Sequence, residues 1–224
     1  MTQSPYRFLL CDLDNTLYPA NSGVMQAVGQ LIVRYMIERV GLPAGDVERL
    51  KRRYFQDYGT TMVGLIRHHA IDPEDYLVYV HDLALEQYLQ PAPALDAMLG
   101  SIPLRKAVFT NANRGHAERV LGVLGVRRHF EWIIDVRDFG FNCKPHPSAY
   151  RHILEIVGAN PVECIMVEDA LNNLAPAQAM GMLTVLVGDH SPGGNHHQAG
   201  ADLCIPDILG LADAIAPFYS LPYS

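Results

Sequence analysis

The stretch Phe8-Leu9-Leu10-Cys11-Asp12-Leu13-Asp14-Asn15-Thr16 constrains this chain more than any other. A short continuous apolar run reads as a strand buried on both faces, the kind found in parallel sheets. It ends in two carboxylates at i and i+2, which share one side of an extended chain. Carboxylates this close repel, and one keeps its proton unless a cation lies between them. Mg²⁺ suits such a gap, because it takes one or two carboxylates together with waters and a phosphate oxygen. The plain alternative is an acidic turn after a strand, since Asp and Asn favour turns.

The pattern then turns helical. Apolar residues recur at helical spacing from Gly23 to Val40, and Gly41-Leu42-Pro43 closes that helix. Further helices are predicted over 46–58, 62–69 and 72–89, the last opened by Asp72-Pro73-Glu74. Residues 18–90 therefore form an all-helical insert, and Pro91 to Pro93 marks its end. Beyond it strands and helices alternate: strands at 105–109, 131–134, 164–167, 183–187 and 202–205, helices at 115–124, 147–157, 172–180 and 207–216. That order implies right-handed crossovers and a parallel sheet covered on both faces. The expected fold is α/β, with a core domain from residues 1–17 and 91–224 and a helical domain from 18–90.

Composition narrows the function. A formal charge of −7 argues against general affinity for nucleic acid, which needs a basic face. The apolar runs are too short to span a membrane, and a strand beginning at Phe8 leaves no room for a secretory leader. Cys11, Cys143, Cys164 and Cys204 lack metal-type spacing and read as free thiols in a reducing compartment. The expectation is a cytoplasmic protein, monomeric or homodimeric, without nucleic-acid or membrane partners.

In an open parallel sheet, ligands bind outside the carboxyl ends of the strands. Four polar sets fall there: Asp12 with Asp14, Thr110 with Asn111, Lys144, and Glu168 with Asp169. A divalent metal would satisfy the acids, and Lys144 would pair with an anionic substrate as a point charge. A carboxylate beside a metal and a phosphate suggests an aspartyl-phosphate intermediate, with the second carboxylate serving as acid and then base.

Asp12-Leu13-Asp14-Asn15-Thr16, Thr110, Lys144-Pro145-His146-Pro147 and Glu168-Asp169 resemble, in order and spacing, the four motifs of the haloacid dehalogenase superfamily of phosphohydrolases. The resemblance implies a Rossmann-like core with a mobile helical cap inserted after the first strand. It implies Asp12 as nucleophile, Asp14 as general acid/base, and Thr110 and Lys144 as orienting groups. Mg²⁺ would be held by Asp12, the Asp14 carbonyl and Asp169, with Glu168 close by or bound through water. Asp12 to Pro19, Tyr58-Gly59-Thr60-Thr61 and Thr110-Asn111-Ala112 are similar to the pyrimidine 5′-nucleotidase branch, which implies nucleoside monophosphates such as UMP and CMP. Asn111, Tyr58, Thr60 and Thr61 are then candidate substrate-binding residues. Other small phosphomonoesters, or a mutase reaction, remain open.

Other readings are less favoured. Dehalogenation has no use for Asp14, and phosphonate cleavage would want an amine in the cap, where only Lys51 occurs, on a helix expected to be exposed. A signalling receiver domain carries similar residues in another chain order and without a cap, and a silent binder would not keep every catalytic position filled. Arg114 and His116 read as surface positions, Tyr54 and Phe55 as core, and His68-His69 and His196-His197 as solvated surface. Asn172 and Asn173 fit turn or cap positions, and the family resemblance also implies Asn173 as a group ordering the metal shell.

Overall fold

The computed structural model describes residues 5–188 and 200–219. His196, His197 and the tail 220–224 lie outside that description. Six parallel strands form one sheet in the order β3-β2-β1-β4-β5-β6: β1 Phe8–Cys11, β2 Arg105–Phe109, β3 Trp132–Ile134, β4 Cys164–Glu168, β5 Leu183–Val187 and β6 Leu203–Ile205. β1 is central, with Phe8 in register with Arg105 on one side and Cys164 on the other. Its side chains alternate between faces. Leu9 and Cys11 join one apolar cluster, with Val108 and Val167, while Phe8 and Leu10 join a second, with Phe109 and Met166. Burial on both faces is why the strands read as unbroken apolar runs.

Between β1 and β2 the described chain is helical: α1 Val24–Glu38, α2 Ala44–Tyr58, α3 Thr61–His69, α4 Pro73–Val80 and α5 Pro93–Ser101. Local chemistry sets the starts. The Thr60 hydroxyl accepts from Val63 N, the Asp72 carboxylate accepts from Glu74 N, and Pro73 occupies the first turn of α4. After β2 come α6 Arg114–Leu124, α7 Pro147–Val157, α8 Leu171–Ala179 and α9 Leu211–Tyr219.

Two expectations need correction. The helix predicted over 72–89 ends at Val80, because Arg119 of α6 donates to the carbonyls of His81 and Leu83 and holds that segment out of helical geometry. Helix α5 was not predicted, since a Pro-Ala-Pro opening reads as a linker although Pro suits a first helical turn. All four cysteines are unpaired, with Cys11, Cys143 and Cys164 buried. Among the described residues no helix is long and apolar enough to cross a membrane.

Candidate active site

The polar residues at the carboxyl edge of the sheet converge on a cleft of about 1190 Å³. Asp12 follows β1, its backbone N–H donating to Val167 O at 2.9 Å, so the chain is still paired to β4 when it delivers this side chain. The Asp12 carboxylate is nearly buried. Its Oδ1 accepts from Lys144 Nζ at 2.7 Å and its Oδ2 from the Thr16 hydroxyl at 3.1 Å. The Lys144 ammonium, only 1% exposed, also donates to Glu168 Oε1 at 2.9 Å and to Phe109 O at 2.8 Å.

Lys144 lies in the loop before α7, and Asn111 fixes that loop. Asn111 Oδ1 accepts from Lys144 N at 2.8 Å, and Asn111 Nδ2 donates to Lys144 O at 3.0 Å. Asn111, expected to touch substrate, thus spends its amide on the lysine backbone. Thr110 follows β2, and its hydroxyl accepts from Ala112 N at 3.0 Å while the side chain lines the cleft.

Glu168 ends β4 and both its oxygens are engaged: Oε1 accepts from Lys144 and from Asn173 Nδ2 at 2.6 Å, and Oε2 from Ala170 N at 2.8 Å. It anchors Lys144, and Asn173 steadies it in turn, whereas Asn172 caps nothing because Ala170 stands at the start of α8. Oxygen atoms of Asp12, Glu168 and Asp169 lie within 4.8 Å of one another.

The electrostatics follow from this crowding. Burial, then Glu168, pushes the Asp12 carboxyl well above its ordinary range, against the pull of Lys144. Burial also raises Glu168, but Lys144 and the hydrogen bonds outweigh it, and the net shift is downward. Burial and Glu168 together push Asp169 up to about 7. Lys144 is raised, since Asp12 and Glu168 overcome the penalty of its burial. Asp12 and Glu168 share the Lys144 ammonium while Asp169 adds a third carboxylate to the cluster, and Asn15 Oδ1 is a buried oxygen without a hydrogen-bond partner. Oxygen donors with an uncompensated negative charge fit a hard divalent cation such as Mg²⁺.

Asp14 sits slightly apart. Its Oδ1 accepts from the Tyr18 hydroxyl at 2.5 Å and pairs with His116 Nε2 at 2.8 Å. Burial would raise its pKa, but the His116 and Tyr18 contacts win and lower it. His116 is thereby a correction: it is 1% exposed, not a surface residue. It stands in the first turn of α6, where side chains lean back toward the helix start and so toward the sheet edge.

The opposite wall of the cleft comes from α1–α3. Tyr58, Thr60 and Thr61 all line it. The Tyr58 hydroxyl pairs with His68 Nε2 at 2.8 Å, the Thr60 hydroxyl donates to Cys143 Sγ at 3.7 Å, and Thr61 is buried. Gly59 adopts φ +78°, and a Cβ there would lie 2.7 Å from Pro145 Cδ and 2.9 Å from Lys144 O. Three more expectations change. Phe55 is 61% exposed and lines the cleft, while its neighbour Tyr54 is core. Lys51 is half-buried and turned to the cleft, with Nζ 3.4 Å from Gly29 O. His69 is half-buried and pairs with the Tyr54 hydroxyl at 2.8 Å, instead of being solvated.

A doubly wound sheet with a lysine-braced cluster of acids on its carboxyl edge defines a class of hydrolytic α/β enzymes. The family model of haloacid dehalogenase-like hydrolases matches residues 6–181, and the chain belongs to that family. Phosphate metabolism protein 8 of Saccharomyces cerevisiae is 28% identical over 76% of this chain, which spans 58% of that protein's length. A phosphoglycolate phosphatase of Chromobacterium violaceum is 27% identical over 90% of this chain and 93% of its own. Among solved structures, β-phosphoglucomutase from Clostridium difficile superimposes with a TM-score of 0.62 at 20% identity, covering 96% of this chain and 97% of its own. L-2-haloacid dehalogenase from Xanthobacter autotrophicus gives 0.61 at 16% identity, covering 94% and 98%. These two likenesses establish the shared fold.

Proposed function

We propose that the chain is a Mg²⁺-dependent phosphomonoesterase that passes through a phosphorylated Asp12, with pyrimidine nucleoside 5′-monophosphates as its substrates. The observation that carries the reading is the Asp12–Lys144 contact of 2.7 Å beside Asp169, all in one cleft. Asp12 attacks phosphorus. Lys144 neutralises the phosphoryl oxygens, and Thr110 orients them. Asp14 protonates the departing alkoxide and later takes a proton from the attacking water. Mg²⁺ held by Asp12, Asp169 and the Asp14 carbonyl would supply further positive charge to the phosphoryl group.

The size of the cleft supports a leaving group of nucleoside dimensions. About 1190 Å³ exceeds the roughly 300–1,000 Å³ that encloses a drug-sized ligand, far more than a two-carbon acid needs. Exposed Phe55 offers a ring face to a base. On this reading residues 18–90 act as a cap over a core of 1–17 and 91–224. A second reading, phosphoglycolate or another small carboxylated ester, draws on the Chromobacterium relative and on Lys51, Arg52 and Arg67 in the cleft wall.

A phosphate-release screen over nucleotides, sugar phosphates, phosphoglycolate and pyridoxal phosphate, with and without EDTA, tests both readings. Preference for UMP and CMP, abolished by EDTA and by Asp12→Asn, is the expected outcome. Preference for phosphoglycolate selects the second reading. Phosphate release undiminished in Asp12→Asn removes the proposed nucleophile.

A further inference from the structure

Asp14 has two oxygens in different surroundings. Oδ1 receives the Tyr18 hydroxyl and faces His116 Nε2, whereas among the described residues Oδ2 has no hydrogen-bond partner. Asp14 lines the cleft and its side chain keeps 15% exposure, although the His116 side chain beside it keeps none. A carboxylate only accepts, so a ring nitrogen facing it carries the proton. His116 Nδ1 is buried without a partner, which suits the same tautomer, with the hydrogen on Nε2. Two donors on Oδ1 favour the carboxylate between turnovers and leave Oδ2 as the oxygen that carries the proton during the reaction.

The His116 ring is held in place. The Asn113 side chain caps α6 by accepting from His116 N at 2.7 Å, and the His81 ring lies 4.5 Å away at 32°. His81 Nδ1 pairs with Leu77 O at 2.9 Å, and Asn113 Nδ2 donates to that same carbonyl at 3.0 Å. The ring that faces Asp14 is therefore packed against the end of α4 and cannot turn away freely.

We propose that His116 is a positioning residue for proton delivery: together with Tyr18 it occupies one oxygen of Asp14, so that the other presents the proton to the leaving group. The proposal rests on the phosphomonoesterase reading above. In the step concerned, a carboxylate oxygen of Asp12 bonds to phosphorus and the bond from phosphorus to the ester oxygen breaks. Its electron pair passes to the ester oxygen, which takes the proton from Asp14 Oδ2. The products are the free alcohol, the acyl phosphate on Asp12 and an Asp14 carboxylate that still accepts from both donors.

An alkyl leaving group needs that proton, whereas p-nitrophenolate departs without one. Single-turnover release of the leaving group, with enzyme in excess and Mg²⁺ present, isolates this step from hydrolysis of the acyl phosphate. The substrates are p-nitrophenyl phosphate and an alkyl phosphomonoester that the wild-type protein cleaves. Properly placed acid catalysis contributes about 10²–10⁴-fold. In His116→Leu the alkyl rate should fall about 10²-fold and the aryl rate by less than about fivefold, a selectivity that general damage does not produce. His116→Gln, whose amide can donate near the place of Nε2, should recover most of the alkyl rate. Should His116→Leu fail to fold by circular dichroism, Tyr18→Phe removes the other donor and should show the same selective loss. Equal losses on both esters, or a glutamine variant as slow as the leucine variant, overturn the positioning role. A wild-type protein that releases no leaving group from any ester overturns the phosphomonoesterase reading, and this one with it.

Discussion

Replacing Lys144 with methionine tests the centre most directly, because it keeps the volume and removes the charge. The ammonium bonds Asp12 at 2.7 Å, Glu168 at 2.9 Å and the Phe109 carbonyl at 2.8 Å, at 1% exposure. Removing one partner of a buried ion pair costs about 3–5 kcal/mol, because it leaves uncompensated charge. Similar side-chain volume keeps any cavity contribution small. In a protein of this size 1 kcal/mol shifts Tm by about 2–4 °C, so Lys144→Met should lower Tm by roughly 6–20 °C at pH 8. The sign with pH follows from the acids left behind. Without the lysine, Asp12 and Glu168 both titrate above their unfolded values near pH 4, so the native state binds more protons than the unfolded one. The deficit therefore deepens as pH rises and shrinks toward pH 5. Thermal melts of both proteins at pH 5 and pH 8, in EDTA so that no divalent ion replaces the lost charge, measure it. A deficit that is the same at both pH values, or below about 1 kcal/mol at pH 8, would refute the claim that Lys144 offsets the charge of two buried carboxylates.

Asp169, pushed up to about 7, binds a proton in the metal-free fold that the unfolded chain has already lost, so metal-free stability falls between about pH 4 and pH 7. On the proposed reading Mg²⁺ displaces that proton below neutrality, and its apparent Kd should weaken about fivefold from pH 7 to pH 6, a dependence that melts over a Mg²⁺ series would show or exclude. Gly59→Ala introduces a Cβ 2.7 Å from Pro145 Cδ at φ +78°, and kcat/KM should drop at least about tenfold with helix content retained; full activity would mean that this close approach is dispensable. Phe55→Ala should leave stability within about 0.5 kcal/mol of wild type, since Phe55 is an exposed surface residue. Its kcat/KM for UMP should fall roughly five- to a hundredfold relative to phosphoglycolate, as expected for loss of base stacking, and an unchanged ratio would show that the ring does not meet the base.

The sheet and the acids on its rim were legible because both follow short rules. Parallel strands buried on two faces must be apolar throughout, and their carboxyl ends share an edge, so Asp12, Thr110 and Asp169 had to gather there. Lys144 needed one step more, because it sits mid-loop and reaches Asp12 through the Asn111 clamp. What escaped depends on facing, which neighbours on a helix do not share. Tyr54 and Phe55 point about 100° apart, so one is core and the other lines the cleft. His116 looked like a polar helix start, yet the lean of side chains in a first helical turn aims it at Asp14. The early end of α4 was invisible locally, since Arg119, which takes the His81 and Leu83 carbonyls just beyond it, arrives from another helix.

The central place of β1 bears on how the protein is made. Phe8 to Cys11 are made well before their two hydrogen-bonded neighbours, Arg105 to Val108 and Cys164 to Val167. Pairings so distant along the chain form slowly, and until they form this apolar tetrapeptide has no place to be buried. A nascent chain cut before β4 should thus leave one edge of β1 unpaired and lack Glu168 and Asp169, so the acid cluster is assembled only once β4 has been made.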